Sequence, residues 1–307
     1  MPGVYAEGVY MIKRVVALEH IRRVRGGAQA HLLRCSDGEY YVVKFQNNPQ
    51  GTRILVNELL GGALATRLGL PTPETAIVEV SSLLIEDTEE LVIQLGRGRF
   101  SCTPGSCFGS RLPSEAGPSG SRALMSVHRF LPDFPPREVT NIADFAGMLV
   151  FDKWTGNMDS RQVIFVLDVA AQTYRAVMID NGFCFNGVEW NFPNAPRCGL
   201  SGRPSAYEAI RGMESFEPWL EILENSADVH LLDELADDIP PEWYGRQITT
   251  LRHLLAEIER RRRYVRAALW TTRSGSPQSF PNWTPQPATR FQRGLFEVIR
   301  EDRTSAG

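Results

Sequence analysis

The seven residues GNMDSRQ (156–162) stand between two apolar-rich runs, FAGMLVF (145–151) and VIFVL (163–167), and a second polar phrase closes the later run VMIDNGFCF (177–185). Gly, Asn, Asp and Ser make turns in any protein, so two ordinary turns account for these letters taken alone. The same letters place carboxylates and amides at the ends of hydrophobic segments, which is what a metal and phosphate site needs. The rest of the chain has to decide between the two.

Upstream, YYVVKF (40–45) is a β-branched and aromatic strand pattern with a charge inside it. That charge is Lys44, and lysine is scarce here: of 33 basic residues only Lys13, Lys44 and Lys153 are lysines. Drift toward arginine codons explains most of that bias, but lysine persists best where a slim point charge is needed and a planar fork will not fit. Lys13 and Lys153 stand in polar or mixed surroundings and carry no such tension. The run ILVNELLGGALATRLGL (54–70) has helical periodicity, ends at Gly69 with Pro71 and Pro73 beyond, and carries Glu58. A strand lysine needs a counter-charge, and Glu58 is placed to supply it. RGGAQAH (25–31), with Gly26 and Gly27, reads as a turn between strands.

Strands are further expected around 9–24, HLLRC, TAIVEV, LVIQL and ALMSVHRFL, with a hairpin at SDGE (36–39). FSCTPGSCFGSRLPSEAGPSGSR (100–122) is rich in Gly, Ser and Pro and reads as a mobile insertion. NIADFAGMLVFDKW (141–154) reads as a helix capped by Asn141. Two strands follow, the second ending at Asp180, and beyond Pro204 the chain becomes helical. The order predicts an α+β protein of two lobes with a cleft between: a β-rich N-lobe with one main helix at 1–130, a mostly helical C-lobe at 131–270, and a polar tail at 271–307.

With 43% hydrophobic residues the chain can fill a full core. A net charge of −3 and a pI near 6.0 give no case for nucleic-acid or membrane binding, and no apolar run nears the about 20 residues that span a bilayer. A cytoplasmic protein is expected, its five cysteines (35, 102, 107, 184, 198) reduced. His31 and His128 read as single structural histidines, and the tryptophans as packing residues.

Transfer of a phosphoryl group from ATP requires a turn over the phosphates, a lysine to neutralise them, a helix acid to orient that lysine, oxygen ligands for Mg²⁺ and a base. Gly26–Gly27, Lys44, Glu58, Asp180 and Asp159 fill those places in order, and Gln162 offers an amide as second metal ligand. Asp152 and Asn157 have the D-x4-N spacing of protein-kinase catalytic loops and stand as a rival pair. Asp159 is preferred by placement, since Asp152 lies within a helical run. Arg161 reads equally as a phosphate or positioning contact and as a surface arginine.

The succession KF (44–45), NELLGGALATRLGLPTPE (57–74), RF (129–130), WTGNMDSRQ (154–162) and IDNGFCF (179–185), with IPPEWYGRQ (239–247) behind, resembles the HipA-like kinases. The resemblance covers roughly 20–270. It implies a protein-kinase-like fold related to the phosphatidylinositol kinases, ATP and Mg²⁺ as cofactors, and a protein Ser/Thr hydroxyl as acceptor. It implies that Lys44 binds phosphates with Glu58 as partner, that Asp159 is the base and Asp180 the metal ligand. A hinge strand would meet adenine around Val127, His128 and Arg129. Known members carry an Asn after the base; here Gln162 or Asn157 would serve. A pseudokinase, or a small-molecule or lipid kinase, remains open, as does a regulatory protein partner.

Overall fold

The computed structural model describes residues 12–116, 122–125, 127–128, 138–225 and 229–284. Alternation in KRVVALEHIRR makes β1 (Lys13–Arg23), with Val15 and Ala17 turned inward, and HLLRC makes β2 (His31–Cys35). The SDGE turn joins β2 to β3 (Tyr40–Lys44), with Gly38 at φ +80° and Cys35 N–H donating to Glu39 O at 2.9 Å. There follow α1 (Arg53–Arg67), β4 (Thr75–Val80), the short α2 (Ser82–Glu86), the hairpin of β5 (Val92–Leu95) and β6 (Gly98–Ser101), and β7 (Gly105–Arg111). Strands pair in the order β1-β2-β3-β7-β4. β4 returns parallel to β1, Ala76 opposite Lys13, and closes the sheet into a barrel. Leu33, Tyr41, Val43, Phe45, Val78 and Cys107 fill its interior without exposure.

β7 corrects the sequence reading. The stretch expected as a mobile insertion at 100–122 instead lays a central barrel strand between β3 and β4, with Cys107 and Phe108 buried. Its small residues answer a packing need: a Cβ at Gly109 would lie 2.5 Å from Val78 Cγ2 and 3.2 Å from Tyr41 Cδ1. Beyond it, β8 (Ser114–Ala116) pairs with β9 (Arg122–Leu124), and 117–121 lie outside the described residues.

α1 is buried from Ile54 to Ala65, so it is a core helix and not an amphipathic cover. Glycine inside a helix costs roughly 0.5–1 kcal/mol against alanine. Close approach explains two of them here: a Cβ at Gly61 would meet Asn181 Cβ at 2.6 Å, and one at Gly62 would meet Thr75 Cγ2 at 2.6 Å.

β10 (Val127–His128) pairs with β11 (Gln162–Asp168), which pairs with β12 (Thr173–Ile179). Between β10 and β11 in the chain comes α3 (Asp144–Thr155). Asn141 does not cap it as expected; its amide bonds both backbone groups of Ala176, at 2.8 and 2.9 Å, and so ties the helix start to β12. The remainder is helical: α4 (Glu217–Asn225), α5 (Val229–Asp238), α6 (Ile248–Arg261) and α7 (Val265–Gly275). A second core runs from α1 through α3 to these helices, with Trp243, Tyr207 and Phe216 fully enclosed. Phe280 and Trp283 join it, so the tail expected from 271 is packed at least that far, and 285–307 lie outside the described residues. All five cysteines are free, and no described helix is long and apolar enough to cross a membrane.

His31 is not the single histidine expected. It is wholly buried, shares a 3.1 Å hydrogen bond with His20, and meets the Phe45 ring edge-on at 5.6 Å. Burial, reinforced by His20, pushes its imidazole down to about 4. The folded chain therefore refuses a proton that the unfolded chain takes up below about 6.5. The stability from neutral His31 is complete above that pH and is lost as pH falls toward 4. Urea midpoints should fall between pH 7 and pH 5, and His31→Gln should flatten the slope; an equally steep variant would assign the effect to other groups.

Candidate active site

Strand alternation turns Tyr41, Val43 and Phe45 into the barrel and sends Lys44 the other way, beneath α1. Its ammonium is paired with Glu58 Oε1 and with Asp180 Oδ1, the latter at 2.9 Å. The second Glu58 oxygen accepts Asn181 N–H at 3.0 Å. Three elements distant in sequence thus meet on one buried cation. Burial pushes the Glu58 carboxyl up against the pull of Lys44, and the nearby Asp180 charge adds to that push. Burial acts on Asp180 too, but Lys44 and Arg161 outweigh it and hold its carboxyl below the usual range. Asp180 is therefore held in its ionised form. Its side chain is 29% exposed against 4% for Glu58, so it also faces outward. Its φ of +63° is a left-handed turn that Asp tolerates better than most residues, placed where β12 ends.

α3 stops at Gly156 in the same left-handed region, and the chain turns sharply into the 156–162 loop. What holds this loop is Asp152 and Arg161. Arg161 Nε donates to Asp152 Oδ2 at 3.0 Å and a second contact runs from Nη2 to Oδ1, while Nη1 reaches Ile179 O at 2.9 Å and Asn181 Oδ1 at 3.1 Å. Both side chains of the pair are at most 1% exposed. The rival reading of Asp152 as base fails on this ground, and Arg161 is no surface arginine. The D-x4-N spacing belongs to a buried structural pair: Asn157 Nδ2 donates to Asp152 Oδ1 at 2.9 Å, and its oxygen accepts Asp159 N–H at 3.1 Å. Asn157, expected as a possible metal ligand, is 2% exposed and committed to shaping the loop.

Asp159 is half-buried, with Ser160 N–H on Oδ1 at 2.7 Å and Gln162 Nε2 on Oδ2 at 3.3 Å. Gln162 is exposed and opens β11 opposite Ile179, the residue before Asp180. Met158 N–H donates to Phe183 O at 3.1 Å, so the loops 156–162 and 179–183 lie side by side. Asp180 and the Gln162 amide are hard oxygen donors of the kind that Mg²⁺ takes along with phosphate oxygens. Among the described residues no group of three or more His, Cys, Asp or Glu is placed to hold a metal alone.

Gly26 and Gly27 form the β1–β2 turn, with Gln29 N–H on Gly26 O at 3.1 Å. Gln29 ties the turn to β5 through both backbone groups of Gln94, at 2.7 and 2.8 Å, and a Cβ on Gly27 would touch Gln50 Nε2 at 3.0 Å. The turn therefore sits against the loop that follows Lys44, while the Lys44 ammonium is bonded to Glu58 and Asp180. Val127 and His128 pair with Val166 and Phe165, so Val127 lies four residues, about 13 Å, along β11 from Gln162. Arg129 lies outside the described residues.

Asn57 is the residue that sequence reasoning missed. It is fully buried, its Nδ2 reaches the carbonyls of Gly182, Cys184 and Gly187 at 2.7–3.0 Å, and its oxygen accepts Trp190 Nε1 at 2.8 Å. Arg53 adds a bond to Val188 O at 2.8 Å and stacks on Trp190. α1 thereby grips the segment after Asp180. An amide beside Glu58 in a helix otherwise apolar was the available signal.

A family model described as HipA-like kinase matches residues 17–187, more than half of the chain. Among curated proteins none matches. Solved structures similar to this chain include hydra Fam20 with sugar (12% identity, 86% of each chain covered, TM-score 0.49). The Golgi casein kinase with Mn/ADP bound is 13% identical over 85% of this chain and 73% of that one, at TM-score 0.45. The Helicobacter pylori proinflammatory kinase CtkA is 13% identical over 83% and 99%, also at 0.45.

Proposed function

The chain belongs to the HipA-like kinase family, and from that premise we propose that it is an ATP- and Mg²⁺-dependent phosphotransferase acting on a Ser or Thr hydroxyl of a protein. The observation that carries the reading is the meeting of Lys44, Glu58 and Asp180 beside a loop that presents Asp159. In this reading the barrel with α1 is the N-lobe, the helical part is the C-lobe, and nucleotide enters between them. Lys44 binds phosphate oxygens, and Glu58 fixes the ammonium from behind. Asp180 and Gln162 would hold Mg²⁺, which neutralises charge on the phosphates when bound. Asp159 accepts the proton of the acceptor hydroxyl, and the Gln162 amide steadies the carboxylate that does so. The Gly26–Gly27 turn covers the phosphates, and the backbone at Val127–Arg129 meets adenine.

ATP with Mg²⁺ at a hundredfold excess over its Kd should stabilise the protein by about 2.7 kcal/mol. For a chain of 307 residues that is a rise in Tm of roughly 4 °C. Lys44→Met should abolish the rise, and a variant that keeps it would remove Lys44 from the site. Labelled ATP then separates the readings. Transfer to Ser or Thr of a protein acceptor supports the proposal; binding without turnover on protein, lipid or small hydroxyl acceptors supports a pseudokinase. The second reading has one observation in its favour, the substitution of Gln162 for the expected Asn.

A further inference from the structure

A cavity of about 330 Å³ opens between the end of α3, the segment 192–198 and the helices α6 and α7. Gly156, Asn157 and Met158 of the 156–162 loop line it, but none of Lys44, Glu58, Asp159, Asp180 or Gln162 does, so it adjoins the site above without including its lysine or its exposed donors. Much of the wall is apolar, with Phe192, Pro193, Val265 and Ala268. Three cations line it, of which Arg260 is exposed and paired with Glu257 at 2.8 Å; the other two are Lys153 and Arg261. Lys153, read from sequence as sitting in mixed surroundings, is 6% exposed and donates only to backbone carbonyls, Pro196 O at 2.9 Å and Cys198 O at 2.5 Å. Arg261 lies 4.3 Å above the Phe192 ring and donates to Trp154 O and Lys153 O at 2.9 and 2.8 Å.

Neither has a carboxylate at ion-pair distance among the described residues: Arg261 is half-buried and the nearby Glu257 is held by Arg260, whereas the other buried cations do have partners, Lys44 holding Glu58 and Asp180, and Arg161 holding Asp152. Asp152 reaches the cavity wall, but its carboxylate is taken by Arg161. Burial pushes the Lys153 ammonium down to about 8 and the Arg261 guanidinium down to about 10, the direction of positive charge short of compensation. Buried charge without a counter-charge is costly, and a ligand that brings one is bound for that reason. Apolar walls with two convergent cations are the make-up of a small-molecule pocket.

We propose that this cavity binds a small organic anion, an apolar or aromatic body carrying one carboxylate or phosphate set against Lys153 and Arg261. A bare inorganic ion leaves the apolar walls unfilled, and the volume is too small for a folded partner. The site adjoins the loop that bears Asp159. Lys153 holds Cys198 O, and the next residue, Gly199, donates its N–H to Asp159 O at 2.9 Å. Binding does not depend on the chain being a kinase.

The probe is 8-anilinonaphthalene-1-sulfonate, an aromatic body with one anionic group, titrated by fluorescence into the folded full chain. One saturable site is expected, displaced by phenyl phosphate or benzoate and unaffected by phenol or by ATP with Mg²⁺. Which of the two anions displaces better assigns phosphate or carboxylate. Lys153→Met and Arg261→Gln should each weaken the probe at least tenfold, and Ala268→Phe should fill the cavity without touching either cation. The competitions need no variant, so a poorly folding substitution does not decide the matter. No binding, equal displacement by phenol, displacement by ATP, or full affinity in Ala268→Phe would each overturn the proposal.

Discussion

Asp180→Asn should leave the protein folded and lower phosphoryl transfer about a thousandfold. The asparagine keeps the volume and tolerates the φ of +63° as aspartate does. What it removes is the ionised oxygen pair at the end of β12. A metal-borne stabilisation of several kcal/mol goes with it, and each 1.36 kcal/mol is a factor of ten. Lys44 still has Glu58, so the urea midpoint should move little. Initial rates with labelled ATP, wild type beside variant, give the answer. Rates within about threefold of each other would leave Asp180 without a chemical role.

Arg161→Met has the opposite profile, a large loss of stability. The variant strands Asp152 in a site of no exposure, with the Asn157 amide as its remaining side-chain donor. Breaking a buried pair from one side costs about 3–5 kcal/mol, a large part of the 5–15 kcal/mol that holds a typical domain together. Adding Asp152→Leu should recover more than half, because a well-packed apolar pair needs no counter-charge. Equilibrium urea unfolding of the two single variants and the double variant measures this coupling directly. A single variant costing less than about 1 kcal/mol would mean that water reaches the pair.

These two pairs also mark how far the sequence could be read. Lys44 and Glu58 were legible because a charge in an apolar strand demands a partner, and one helix lay within reach. Asp180 was legible because a carboxylate closed a hydrophobic run. Asp152 was not: nine residues separate it from Arg161, and the spacing to Asn157 imitates a different site. β7 was hidden by composition, since the small residues that Val78 and Tyr41 require look the same as those of a loose loop. Lys153 was hidden because its partners are carbonyls 43 and 45 residues away, and backbone atoms leave no mark in a sequence. The helix expected at 54–70 runs from 53 to 67, so its start was placed to one residue and its end three residues late, and nothing in its periodicity shows that every side would be covered.

The barrel bears on how this protein behaves when concentrated. Strands β1, β2, β3, β7 and β4 form a ring, the last pairing with the first, so β2, β3, β7 and β4 have a partner on each side, whereas β1 pairs with β4 over Lys13–Val16 and with β2 over Ala17–Arg23 and keeps one open edge along its later half. Open sheet edges are where chains stack into fibrils, and closure removes them. Most of the β-branched sequence, including YYVVKF and TAIVEV, is locked in that ring. Among the described residues the open edges belong to Ala17–Arg23 of β1, to the three-stranded sheet and to the two short hairpins. Storage losses by edge-to-edge assembly should therefore begin at those edges, where β10 is only two residues long, and a lysine placed there is the substitution to try first.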